Sequence, residues 1–164
     1  MKPIESTAEI LAFKMMGYPV DKFWVDWAYD LLCAGFDTEN LVQLAGELEP
    51  YNQFELQALT DKVFKELNLT WDDREQVLKN YCWYLVSKAV DGKIDIRVAL
   101  EILTDCYLEL EMEPSLSDFA QLYWAQQDLQ YCEEQWYWDG ATRENIDEVI
   151  MEYFRKWRAE CAGG

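Results

Sequence analysis

The sequence predicts an all-α chain: a single-domain bundle of about seven or eight helices, each an antiparallel neighbour of the next, with a short helical-repeat-like stack as the alternative packing. Three observations carry this reading. Apolar residues recur at helical spacing through nearly the whole chain. Capping residues and glycine stops fall at nearly every junction. Period-2 alternation with β-branched enrichment is sustained nowhere, so no substantial sheet is expected. The 164 residues are 51% hydrophobic and 15% aromatic, with 7 Gly and 4 Pro, a composition that buries a core where aromatic-poor acidic chains stay disordered.

Each element follows from its own signals. Ser6-Thr7-Ala8-Glu9 is a capping-box pattern opening a helix with Ile10, Leu11, Phe13 and Met16, closed by Gly17. Asp21 caps a second helix that carries Trp24, Trp27, Ala28, Leu31 and Leu32, with Gly35 past its end. Asp37-Thr38-Glu39 begins a short third through Leu41, Leu44 and Ala45, ended by Gly46. After Pro50 a fourth runs from about Gln53 to Leu67 with Phe54, Leu56, Leu59, Val63 and Phe64. Thr70 starts a fifth, with Val77, Leu78, Tyr81, Leu85 and Val86 inward.

The sixth follows an Asp91-Gly92 turn, with Asp95 capping Ile96 to about Leu110. Pro114 breaks the chain, and Ser115 or Ser117 opens a seventh through Phe119, Leu122, Tyr123 and Leu129. Beyond a loop at Gly140, the last runs from Thr142 to about Arg158 and buries Ile146, Val149, Ile150, Tyr153 and Trp157. The expected core comprises Trp27, Leu31, Leu59, Phe64, Leu78, Tyr81, Leu103, Leu122, Ile150 and Tyr153. Trp24 and Trp27, three apart on one helix, read as core in preference to a ligand box.

Catalytic chemistry finds little to work with. The chain has no histidine, which removes the commonest general base, the usual partner of a Ser or Cys nucleophile and the commonest metal ligand. No phosphate-cradling glycine loop is present. Cys33, Cys82, Cys106, Cys132 and Cys161 are dispersed without a CxxC pair, as expected of buried thiols in a reducing compartment and not of a disulfide frame or zinc site. Asp91 to Asp95, DGKID, imitates half a calcium loop. With Gly92 as its sixth position, however, Ala89 and Val98 fall where oxygen ligands are needed, so a helix-helix turn is expected. Asp72 and Asp73 fit a first helical turn, where acids favour the dipole. Glu109, Glu111 and Glu113 cannot share one helical face. No enzyme activity and no cofactor are expected.

Charge says more. There are 32 Asp and Glu against 14 Lys and Arg, a net charge of -18. Such a field repels phosphate backbones and anionic membrane surfaces, so neither nucleic acid nor membrane is an expected partner. MKPIESTAEI turns amphipathic without an apolar signal core, and no apolar run approaches the ~20 residues of a bilayer span; a cytoplasmic location is expected. From Val98 to Thr142 there is no Lys or Arg, but there are Glu101, Asp105, Glu109, Glu111, Glu113, Asp118, Asp128, Glu133, Glu134 and Asp139. Interleaved are Tyr107, Tyr123, Trp124, Tyr131, Trp136, Tyr137 and Trp138. Trp136-Tyr137-Trp138 cannot all face inward from a loop flanked by carboxylates, so at least one is expected at the surface or under a loop.

The stretch WAYDLLCAGFDTENLVQLAGELEPYNQFEL, Trp27 to Leu56, resembles a pattern in small helical bacterial proteins. With the chain's size and acidity, it is similar to immunity proteins of bacterial toxin-immunity pairs, which bind and block a toxin domain, often a cationic nuclease. The resemblance implies a protein-binding inhibitor with a basic partner, and it carries over no individual binding residue. The charge pattern supplies candidates: Glu109, Glu111, Glu113, Glu133, Glu134 and Asp139 to steer, Trp136 or Trp138 to anchor. A helical adaptor or chaperone-like module for a basic peptide is the second reading, and a small carboxylate-dependent enzyme the third. Partner identity and oligomeric state are not legible in the sequence.

Overall fold

The computed structural model describes residues 4–162. It is all-helical, with eight α-helices, one short 3-10 helix and no strand among the described residues. The trace divides into two compact units, one ending at Tyr84 and the next beginning at Leu85.

The first unit holds α1 (Thr7–Met15), α2 (Lys22–Cys33), α3 (Glu39–Ala45), α4 (Gln53–Glu66) and the start of α5 (Arg74–Val90). Successive helices pack on one another, α1 on α2, α2 on α3 and α3 on α4. Their termini are fixed by local chemistry. The Asp21 side chain accepts the Phe23 N–H at 3.0 Å and the Asn52 side chain accepts the Glu55 N–H at 3.2 Å, satisfying donors that a helix start leaves free. Gly35, at φ +99, lets the Phe36 N–H reach back to the Leu31 carbonyl at 3.0 Å and close α2.

Phe64 is the hub of this core. Its ring lies 6.1 Å from Trp24, 5.8 Å from Trp27 and 5.2 Å from Trp71. Both Trp24 and Trp27 are buried, as their helical spacing predicts. The Trp27 indole N–H donates to Thr7 Oγ1 at 3.0 Å, which lets a hydroxyl and an indole share an apolar interior. Nearby, the Lys14 ammonium is largely enclosed. It pairs with Asp61 at 2.7 Å, donates to Gln57 Oε1 at 2.9 Å and to Thr60 Oγ1 at 3.1 Å, and lies 5.5 Å from the Trp71 ring centroid.

The second unit holds α6 (Ile96–Glu109), the 3-10 turn Pro114–Leu116, α7 (Ser117–Tyr131) and α8 (Ile146–Ala162). α6 packs on α7 and on α8. Asp95 caps α6 through the Arg97 N–H at 2.8 Å. Phe119 is the aromatic centre, 5.4 Å from Tyr153 and 5.7 Å from both Phe154 and Trp157. The DGKID segment is a turn, with Gly92 at φ +74 and Asp91 held by Arg158 at 3.1 Å.

Several local expectations are corrected. Ser6 keeps helical dihedrals and makes no capping bond, because the chain is already turning: the Thr7 N–H donates to the Ile4 carbonyl at 3.0 Å. α5 begins at Arg74 and not after Thr70, since the Asp73 carboxylate accepts the Gln76 N–H at 3.1 Å and takes the cap. α8 begins at Ile146, and Thr142 instead caps the turn before it. Phe54 is 88% exposed, out of line with Leu56, Leu59, Val63 and Phe64. Val149, Tyr153 and Trp157 are only half-buried, and Phe154 takes the fully buried position beside Ile150. The other nine expected core residues are buried. Of the five cysteines expected to be buried, Cys82 and Cys106 are, whereas Cys161 is half-buried and Cys33 and Cys132, at the C-terminal ends of α2 and α7, are exposed.

Candidate functional site

The acidic, aromatic stretch lies entirely in the second unit, and the candidate residues within it fall at two connections. In the first, between α6 and α7, Glu109 is the exposed last residue of α6. Glu111 and Met112 follow at φ +56 and +61, left-handed backbone that side-chain-bearing residues adopt at some cost. That conformation lets the Met112 N–H close α6 on the Tyr107 carbonyl at 2.8 Å, leaving Glu111 and Met112 facing solvent. Glu113 departs from the expected steering role. It is half-buried, and its carboxylate accepts from the Ser115 N–H at 3.5 Å and hydroxyl at 3.1 Å, capping the 3-10 turn.

The second connection, between α7 and α8, carries Glu133, Glu134, Trp136, Trp138 and Asp139 and is organised by Gln135. Gln135 Oε1 accepts the N–H groups of both Tyr137 and Trp138 at 2.8 Å. Its Nε2 donates to the carbonyls of Trp138 and Ala141, the latter at 3.2 Å. One amide thus stands in for the backbone partners that a helix or strand would provide. Downstream, Asn145 accepts the Thr142 N–H at 2.6 Å and donates to the Gly140 carbonyl at 2.9 Å, while Arg143 Nε donates to the Leu129 carbonyl at 2.7 Å.

This bonding sorts the three aromatics. Trp138 turns inward, half-buried, with its ring 5.4 Å from Tyr153 in an edge-on contact. Tyr137 lies on Trp124 at 5.7 Å, and Trp124 in turn meets Tyr107 of α6 at 6.0 Å. Trp136 has 85% of its surface exposed. Of the two tryptophans proposed to anchor, only Trp136 is therefore presented, and Trp138 is part of the support beneath the loop. The Tyr107–Trp124–Tyr137 run links the two connections, since Tyr107 precedes Glu109 by two residues and Tyr137 precedes Asp139 by two. Sequence reasoning assigned no role to Gln135, nor to Leu108, Met112 and Tyr131, which are exposed large apolar side chains on the same segments.

The electrostatics are one-sided. In this unit Arg97 pairs with Asp147, Arg158 with Asp91 and Lys156 with Glu160, each a carboxylate outside the Val98–Thr142 stretch. Among the described residues no Lys or Arg pairs with Glu111, Glu133, Glu134 or Asp139. Burial pushes the Cys106 thiol up to about 12, with Glu109 and Asp105 adding to the effect. Tyr123 is raised by burial and then by Glu101 and Asp105. Tyr153 is raised by burial and then by Asp118, whose carboxylate accepts its hydroxyl at 3.0 Å.

No group of three or more His, Cys, Asp or Glu side chains is arranged to hold a metal among the described residues. No helix there is long and apolar enough to cross a membrane. No family model, curated protein or solved structure matches the chain. What the second unit offers chemically is an ordered loop that presents one indole amid carboxylates.

Proposed function

We propose that the chain is a protein-binding inhibitor, an immunity protein that neutralises a basic, nuclease-type bacterial toxin. The observation that carries the reading is Trp136. A tryptophan left 85% exposed costs apolar hydration that folding normally removes, yet here it sits on a loop fixed by hydrogen bonds to Gln135. An aromatic carried on a loop whose backbone is already fixed leaves only its own side-chain freedom to be lost on binding, which suits an interface anchor. Glu133, Glu134 and Asp139 around it, with Glu109 and Glu111 on the neighbouring connection, would steer a cationic surface and pair with the Lys and Arg that a nuclease uses to hold phosphates.

The test is to sequence the genes on either side and co-express the chain with a cationic nuclease domain found there. Restored growth, a one-to-one complex and loss of nuclease activity are expected. Triple charge reversal at Glu111, Glu133 and Glu134 to Lys should slow association steeply at low salt and little at high salt. Growth arrest unrelieved by the wild-type chain overturns the reading. An association rate unchanged by the reversal moves recognition off this surface.

A further inference from the structure

The first unit carries a second cation-free stretch. From Phe23 to Asp61 there is no Lys or Arg, while Asp26, Asp30, Asp37, Glu39, Glu47, Glu49, Glu55 and Asp61 are present. Where part of this stretch meets the segment before Lys22, the surface is concave. Two segments that meet across the N-termini of α2 and α4 line a groove of about 610 Å3, walled by Pro19, Asp21, Glu49, Pro50, Tyr51 and Gln53, with Val20 at its base.

The walls are held in place. Gln53 Oε1 accepts the Val20 N–H at 2.8 Å and its Nε2 donates to the Val20 carbonyl at 2.7 Å, a two-point clasp between the segments. Asp21 is fixed by its capping bond to the Phe23 N–H at 3.0 Å, which occupies Oδ1 and leaves its second oxygen for a ligand. Tyr51 packs half-buried against the core. Its hydroxyl is raised above the ordinary value by burial first, then by Glu49, Asp21 and Asp26, so three carboxylates act on one ring. No cation lines the groove. Close in sequence to its lining residues, Phe23, Leu48 and Phe54 are 63%, 81% and 88% exposed. Exposed apolar side chains on the segments that form an anionic groove suit a protein-docking site.

We propose that this groove receives an arginine side chain of the basic partner, its guanidinium plane stacked on the Tyr51 ring and bonded to the carboxylates of Asp21 and Glu49. Arginine fits better than lysine because a planar, weakly hydrated cation can lie on an aromatic face and still donate in its own plane to carboxylates at the sides. The inference rests on the reading that the chain binds a basic protein, though not on the surface chosen for it above.

The test needs no partner. Full-length 15N-labelled protein is titrated with Nα-acetyl-arginine methylamide and with its lysine and citrulline counterparts, following backbone amide shifts. Saturable shifts are expected at Asp21, Tyr51 and Gln53, with citrulline, which keeps the shape and loses the charge, about tenfold weaker. Glu49→Gln should weaken arginine binding about threefold to fivefold. Asp21→Asn should do the same, and it keeps a good N-cap so that α2 survives. Equal responses to citrulline or lysine, indifference to both substitutions, or shifts centred on Glu133–Asp139 would each overturn the proposal. Failure of the toxin reading would leave these titrations unchanged, and their failure would leave that reading standing.

Discussion

The two units carry similar charge in opposite shapes. Phe23–Asp61 and Val98–Thr142 are both free of Lys and Arg and both rich in aromatics. In the first unit, the carboxylates Asp21 and Glu49 line a groove with Tyr51, and exposed apolar side chains lie close to its lining residues in sequence. In the second, a projecting tryptophan stands in a carboxylate-rich loop whose neighbours Tyr137 and Trp138 pack on Trp124 and Tyr153. Charge alone does not separate the two surfaces, since long-range attraction of a cationic body is similar at either. Shape does. A recess selects a single side chain, whereas a projection needs a pocket on the other protein.

The most disruptive way to probe the contrast is to remove the support under one face. Phe64→Ala, which empties the space between Trp24, Trp27 and Trp71, should cost about 3–5 kcal/mol, read from urea unfolding followed by tryptophan fluorescence. A loss below ~1 kcal/mol would mean that the first unit is not built around this ring.

Next is Trp136→Ala. Stability should stay within ~0.5 kcal/mol because the side chain is exposed. Partner dissociation should quicken about 30-fold, equivalent to ~2 kcal/mol, in surface-binding kinetics. Trp138→Ala should do the reverse, lowering stability through the lost Tyr153 contact with a smaller effect on dissociation.

A smaller loss, about 1–2 kcal/mol, is expected for Gln135→Ala, which removes four hydrogen bonds from the projecting loop. Hydrogen exchange at the Tyr137 and Trp138 amides should accelerate, while exchange within α6 stays constant.

The mildest effect concerns pH. Tyr153 has its ionisation raised in the folded state, so the folded protein holds the phenolic proton more tightly than the unfolded chain. That contribution is complete below the unfolded value near 10 and declines as pH rises beyond it. Stability should therefore fall from about pH 10 upward, and Tyr153→Phe, which cannot ionise, should fall less steeply.

Much of this was legible before the fold was known, and what was not has physical reasons. Asp21 and Asp95 announce helix starts because a cap is a contact between near neighbours in sequence. Thr70 misled because Asp73, three residues on, is an equally good acceptor, and only the path of the chain decides between them. Phe54 is exposed because it lies two residues before Leu56, on the face of α4 opposite its buried positions. Phe154 does not stand out in the sequence because Tyr153 and Trp157 fit the stripe of Ile146 and Ile150 as well as it does. In the site, the charge was plain from composition. The division of labour between Trp136 and Trp138 was not, because it depends on Gln135, whose bonds to the loop have no periodicity to read.

The Gln135 clasp has a consequence for how such a protein diversifies. All four of its bonds go to main-chain atoms, and none involves the side chain at 136. The loop's conformation is thus insulated from the identity of the residue it displays. A single codon change at 136 can alter the shape offered to a partner without rebuilding the scaffold. Position 135 has no such freedom, because only an amide side chain offers donor and acceptor together at that reach. Among descendants of this chain, 136 should drift with the partner while 135 stays glutamine.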